Sequence, residues 1–211
     1  MQRTAIFDLD GTLVDSAPDL HAAINRQMAA RGLSGFALPE IVAMVGDGAR
    51  ALVERALAAR GKPFDAAALE AFLADYTAHA AVETRPYPGI LATLETLEAR
   101  GWRLAVCTNK PEQAAREVLA ALDLARFFAA VGGGDSYPTR KPDPAHVLAT
   151  LRDAGGDPAH AVMIGDHHND IAAAEAAGIP AIFAAWGYGT PAMAGRALVA
   201  RSAAEIPGLL A

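Results

Sequence analysis

Short apolar runs alternate with amphipathic stretches along most of the chain. The runs are TAIFD (4–8), RLAVC (103–107), FAAV (128–131), AVMIG (161–165) and PAIFAA (180–185). Between them, apolar side chains recur three and four apart, as in Ile90, Leu94 and Leu97 or in Ala115, Val118, Leu119 and Leu122, the spacing of a helix that buries one face. Gly101 stands where the first of these helices should end, and a glycine there takes the left-handed turn of a C-terminal cap without steric cost. Strands apolar along their whole length have no solvent face, so the alternation predicts a parallel sheet covered on both sides. The expected fold class is α/β, a Rossmann-like parallel sheet flanked by helices.

From about residue 17 to 84 the strand pattern disappears. DLHAAINRQMAARG, GARALVERALAARG and DAAALEAFLADYTAHAA carry helical periodicity only, and prolines stiffen both joints, DSAP on entry and TRPYPG on exit. The expected organisation is a core of residues 1–15 and 86–211 interrupted by an all-helical insertion of residues 16–85. Helices that merely thicken the core are the alternative.

In an open parallel sheet, ligands bind beyond the carboxyl ends of the strands. Polar residues fall at three of those ends: AIF runs into Asp8, LAVC into Thr108 and Asn109, and VMIG into Asp166. A fourth cluster, RKPDP (140–144), precedes a helix that Asp143 can cap, with Pro144 in its first turn. Pro142 biases Lys141 toward an extended backbone, which lets its ammonium reach the strand tips. Each residue alone has an ordinary reading as a turn former, a helix cap or a solvated charge; what points to a site is their joint placement on one sheet edge.

Composition narrows the partners. The chain has 211 residues, 53% of them apolar, a formal net charge of −6 and one cysteine. The acidic balance argues against nucleic acid, whose phosphates need clustered Lys and Arg. No apolar stretch nears the roughly 20 residues of a membrane helix, and no signal segment opens the chain. A lone Cys107 precludes an intrachain disulfide and fits a reducing cytoplasm. The oligomeric state is left between monomer and homodimer.

FDLDGTLVDS, CTNK, RKPDP and GDHHND resemble, in order, the four motifs of the haloacid dehalogenase-like phosphatases, and the likeness spans nearly the whole chain. DLDGTLVDSAPDL, MVGDGARALVERAL, TNK and NDIAAAEAAGIP are similar to the phosphoglycolate phosphatase branch of that family. The resemblance implies a mobile helical cap and a Mg²⁺-dependent phosphatase acting on a small phosphorylated metabolite. Asp8 would attack phosphorus, while Mg²⁺ held by Asp8, the Asp10 carbonyl and Asp166 would neutralise phosphate and carboxylates. Asp10, its ionisation disfavoured by its anionic neighbour, would protonate the leaving alkoxide and then accept a proton from water. Gly11 would permit the tight turn after the pair, and Thr12 would fix it. Thr108, the Asn109 amide and Lys141 would hold the transferring oxygens, with Asp170 in a supporting role.

In the insertion, Gly46 and Gly48 open a helix whose start suits an anion, and Arg50 would pair with a substrate carboxylate; an ordinary loop with a solvated arginine is equally open. The family often has Ser or Thr where this chain has His167. Adjacent histidines rarely face one ion, so His167 and His168 are not expected to form a transition-metal site.

Rival chemistries fail on spacing. A Cys-based phosphatase would need Arg where Gln113 stands, Gly61-Lys62 is followed by Pro63 rather than completing a P-loop, and Gly11 comes too early for an EF-hand. A signalling receiver domain would not need the insertion. A phosphonate-cleaving relative would want a lysine in the cap, where only Lys62 is present, in a polar turn. Hydrolysis of another small phosphate ester or pyrophosphate, or a phosphomutase on the same scaffold, stays open.

Overall fold

The computed structural model describes residues 2–79 and 81–210. Strand β1 (Thr4–Phe7) leads through a two-residue strand β2 (Val14–Asp15) into four helices: α1 (Ala17–Ala30), α2 (Leu38–Val42), α3 (Ala49–Ala58) and α4 (Ala66–His79). The chain returns through β3 (Arg85–Pro86) and continues as α5 (Ile90–Ala99), β4 (Arg103–Cys107), α6 (Glu112–Ala121), β5 (Phe128–Gly132), α7 (Pro144–Asp153), β6 (Ala161–Gly165), α8 (His168–Ala176), β7 (Ala181–Ala184), β8 (Leu198–Ala200) and α9 (Ile206–Leu209).

Six strands form one parallel sheet in the order β5-β4-β1-β6-β7-β8. β1 lies inside it, with Thr4 opposite both Arg103 and Ala161. Its alternating side chains enter different cores. Ala5 and Phe7 join the cluster containing Leu94, Leu97 and Val118; Ile6 joins Cys107, Val147, Met163 and Ala173 on the other face. This two-sided burial is why the strand carries no polar alternation. Each large side chain sunk in this way contributes about 1.5–3 kcal/mol relative to exposure.

The two proline-bearing joints are paired with each other. Val14 faces Pro86 and Asp15 faces Arg85 in an antiparallel ribbon, so the helical block is entered and left at one place. Asp19, in the first turn of α1, accepts the backbone N–H groups of Glu83 and Thr84 and, at 2.6 Å, the Thr84 hydroxyl. That carboxylate thus serves the positive end of α1 and ties the exit strand to it.

Two elements lack a sequence signal. The five-residue α2 is too short to show a period. β8 is a three-residue edge strand whose Leu198 and Val199 are exposed, so neither alternation nor a buried run marks it. No helix among the described residues is long and apolar enough to cross a membrane.

Candidate active site

The carboxyl ends of β1, β4 and β6 deliver Asp8, Thr108 and Asp166 to one edge of the sheet, as the sequence predicts. The structure brings Asp8, Asp10, Thr108, Asn109, Asp166 and Gly46 to the wall of one cavity of about 50 Å³ between the core and the helical block. That is room for a few water molecules.

Asp8 is buried and accepts the Leu9 N–H at 2.7 Å and the Lys141 ammonium at 2.9 Å. Burial and the nearby Asp170 charge push its carboxyl up to about 6, although Lys141 opposes this. Lys141 also donates to Asp170 at 2.5 Å and to the Cys107 carbonyl at 2.6 Å. Burial alone favours its neutral form, but Asp170 and Asp8 hold its pKa above the ordinary lysine range. The turn that carries it is built as expected: Asp143 caps α7 by accepting the Ala145 N–H at 2.9 Å. His146 accepts the Lys141 backbone N–H at 3.1 Å, and burial followed by the Lys141 charge lowers its pKa to about 4, so it stays neutral.

Asp166 is held from three sides. Thr12 donates its hydroxyl to one carboxylate oxygen at 2.8 Å, and the Tyr188 and Gly189 N–H groups reach the other at 2.7 and 3.3 Å. Thr12 thus positions Asp166, a task beyond the turn-fixing expected of it. Gly11 has φ +84°, and a side chain there would collide with the Asp166 carboxylate, so the turn requires glycine twice over. Burial, then repulsion from Asp8 and Asp170, raises the Asp166 pKa to about 8. Asp170 sits beneath, accepting from Lys141 and from the His167 N–H.

One oxygen from each of Asp8, Asp166 and Asp170 lies within 4.8 Å of the others. Three buried carboxylates so close together, two of them with raised pKa values, form a donor set suited to a hard oxygen-seeking cation such as Mg²⁺. The Asp10 carboxylate is otherwise engaged: it accepts from Ser16 Oγ at 2.6 Å and from Lys110 Nζ at 2.9 and 3.1 Å.

Asn109 does more than its backbone role. Its side-chain amide donates to the Gly46 carbonyl of the helical block and to the Lys141 carbonyl, both at 3.0 Å. Gly46 therefore reaches the site as a docked peptide. Arg50 does not reach it. The inward-packed side chains of α3 are Leu52, Val53, Ala56 and Leu57, whereas Arg50 is exposed and its guanidinium lies 4.1 Å over the Phe64 ring. The carboxylate partnership expected of Arg50 is corrected accordingly.

Several site residues went unread in the sequence. Lys110, buried in the cavity wall, joins Asp10 to the Tyr76 hydroxyl of α4 at 2.5 Å. Tyr188 takes the Ser16 and Ala17 N–H groups at 2.7 and 2.9 Å. Lys110 stands in the TNK tripeptide beside two residues that were singled out; Tyr76 and Tyr188 carry no local signal. Cys107 is fully buried and its thiol is pushed up to about 12 by that burial, unlike a nucleophilic thiolate.

Known proteins are similar to this chain. A family model described as haloacid dehalogenase-like hydrolase matches residues 2–178. A phosphoglycolate phosphatase of Agrobacterium fabrum is 46% identical over 188 residues, covering 87% of this chain and 81% of its own. One from Cereibacter sphaeroides is 47% identical over 178 residues, covering 82% and 81%. The crystal structure of a predicted phosphoglycolate phosphatase from Haemophilus somnus superposes with a TM-score of 0.91 at 30% identity, covering 100% of this chain and 98% of that one. With its four motifs gathered around Asp8 and its match running from the first strand past α8, the chain belongs to the haloacid dehalogenase-like hydrolases, as a phosphoric monoester hydrolase.

Proposed function

We propose that this phosphatase hydrolyses 2-phosphoglycolate to glycolate and phosphate through a phosphorylated Asp8, with Mg²⁺ held by Asp8, the Asp10 carbonyl and Asp166. The observation that carries the reading is the placement of the Asp8 carboxylate, 2.9 Å from the Lys141 ammonium, in the wall of the cavity between the core and the helical block. The cation would supply charge neutralisation, letting anionic Asp8 approach an anionic phosphate.

An Asp8 oxygen attacks phosphorus, and the bond from phosphorus to the ester oxygen breaks. Asp10 gives its proton to the departing glycolate oxygen, a poor leaving group without it. Water then attacks phosphorus, Asp10 takes that water's proton, and the Asp8 carboxylate is released with inorganic phosphate. Ser16 and Lys110 fix the Asp10 carboxylate on the leaving-group side. Lys141 and the Thr108 hydroxyl face the phosphate, where preorganised donors stabilise developing charge in a site sheltered from water.

Lys110 takes the part first given to Arg50. An ammonium has three donors, so a substrate carboxylate would take the place of one of the two Asp10 contacts while the other and Tyr76 are kept. The first turn of α3, entered at Gly48 and Ala49 in the cavity wall, adds the positive end of a ten-residue helix. The names of the relatives support the same substrate.

The test is phosphate release across small phosphate esters with Mg²⁺ and with chelator. Phosphoglycolate is expected to give the highest kcat/KM, and activity should vanish in chelator. Undiminished turnover in chelator, or another ester preferred by an order of magnitude, overturns the respective part.

A further inference from the structure

The histidine pair in the fourth motif has a third neighbour that the sequence does not reveal. His167 caps α8 and His168 opens it, and their rings stand 4.2 Å apart, tilted by 47°. The loop before α3 brings Asp47 to them, so that one ligand atom from each of Asp47, His167 and His168 lies within 4.8 Å of the others. The chemistry at Asp8 makes no use of this trio.

We propose that Asp47, His167 and His168 form a second cation site, for a borderline transition-metal ion such as Zn²⁺, bridging the helical block and the core. Two imidazoles and one carboxylate, with water completing the shell, are a zinc-type donor set, distinct from the all-oxygen set around Asp8. The carboxylate is already oriented as ligand carboxylates are: Asn169 Nδ2 donates to one Asp47 oxygen at 2.7 Å and Arg55 pairs with the other. His167 Nδ1 accepts a long 3.4 Å bond from the Asn169 N–H, which a metal can displace. His168 is exposed at the helix start, and binding would draw the donors from within 4.8 Å to the roughly 3.3 Å separation that tetrahedral zinc bonds require.

The site has a consequence for turnover. Asp47 stands between Gly46 and Gly48, which line the cavity, and the Gly46 carbonyl is docked on Asn109 at 3.0 Å and on Asn169 at 3.2 Å. An ion joining Asp47 to the histidines pins this loop over the cavity mouth. Zn²⁺ therefore inhibits by holding the helical block against the core, without displacing Mg²⁺ from Asp8.

The proposal does not depend on the substrate, and its primary readout is binding. The full-length protein is saturated with Mg²⁺ and titrated with Co²⁺, whose visible absorption reports nitrogen ligation in a low-coordinate site, and Zn²⁺ is then added as competitor. One Mg²⁺-resistant equivalent of Co²⁺ with this absorption, displaced by Zn²⁺, is expected. His168→Ala and Asp47→Asn should each weaken it roughly tenfold or more. In phosphate-release assays at saturating Mg²⁺, Zn²⁺ should inhibit the wild type at lower concentration than it inhibits His168→Ala. Absence of Mg²⁺-resistant uptake overturns the site. Uptake weakened by His168→Ala and untouched by Asp47→Asn overturns the bridge, since the ion would then sit on the core alone.

Discussion

Lys110 Nζ lies 2.9 Å from Asp10 Oδ1 and donates to the Tyr76 hydroxyl at 2.5 Å, so one buried ammonium links the Asp10 carboxylate of the core to a helix of the helical block. Burial alone would favour the neutral amine, but Asp10 and Tyr76 keep its pKa above the usual lysine range. Hydrogen bonds to charged groups contribute about 1.5–3 kcal/mol, so Lys110→Met should lower kcat/KM for phosphoglycolate roughly 10- to 100-fold. The loss should be much smaller with an aryl phosphate, whose leaving group needs neither a proton nor a carboxylate anchor. Equal losses on both would place Lys110 with the phosphate-binding groups instead.

Asp8→Asn should separate activity from stability. Turnover should fall below a few per cent of wild type in a phosphate-release assay, because an amide does not form the phosphorylated intermediate. The same change removes a buried charge whose pKa of about 6 reflects burial and repulsion from Asp170. In metal-free buffer near neutral pH the variant should therefore be more stable by on the order of 2 kcal/mol, read from urea unfolding. An active variant, or a less stable one, contradicts this account of Asp8.

The raised pKa values of Asp8, about 6, and Asp166, about 8, also set a pH dependence. In the unfolded chain both carboxyls release their protons near pH 4, whereas the folded protein retains them to higher pH. The folded state thus binds more protons in this window, and the contribution of these groups to stability falls as pH rises from about 4 to about 8. A bound cation reverses the penalty on the ionised forms, and below the folded pKa values it must compete with protons. The increase in Tm on adding Mg²⁺ should be larger at about pH 8.5 than at about pH 5.5, by differential scanning calorimetry. An equal increment at both values would mean that Mg²⁺ does not bind these carboxylates.

Much of this arrangement is legible in the sequence because it is local. The apolar runs that end at Asp8, Thr108 and Asp166 mark both strand and site, since a strand buried on two faces is apolar along its middle and shows polar residues at its ends. Asp143 and Pro144 announce the start of α7 in the same way. Lys110, Tyr76 and Asp47 are illegible for the opposite reason: their partners lie on other elements, and only packing of the helical block on the core brings Tyr76 to Lys110 or Asp47 to His167. The Arg50 expectation fails because the exposed side chain, in the first turn of α3, lies over the Phe64 ring, a contact with no local mark in the sequence.

Arg50→Ala should accordingly leave KM for phosphoglycolate within about twofold of wild type, the lost contact being an exposed cation–π pair of roughly 0.5–1 kcal/mol with Phe64. A tenfold rise confined to carboxylate-bearing substrates would restore the arginine to the site.

Gly46→Ala tests whether the docked loop matters to turnover. Gly46 has φ +120°, which an L-residue rarely adopts, and an added Cβ would meet the His167 ring at 2.7 Å. Its carbonyl also accepts from both Asn109 and Asn169. Alanine must therefore lift the loop from the core, losing these bonds and accepting backbone strain of about 1–3 kcal/mol. If catalysis needs the block seated, kcat/KM should fall about 5- to 100-fold, alongside a loss of Tm of a few degrees from the strain. Gly32→Ala supplies the contrast: it too has positive φ, +66°, but no atom lies within 4 Å of an added Cβ. It should lower stability and leave kcat and KM unchanged. If both glycines behave alike, strain rather than docking explains the first result, and the Gly46 contacts to Asn109 and Asn169 carry no catalytic weight.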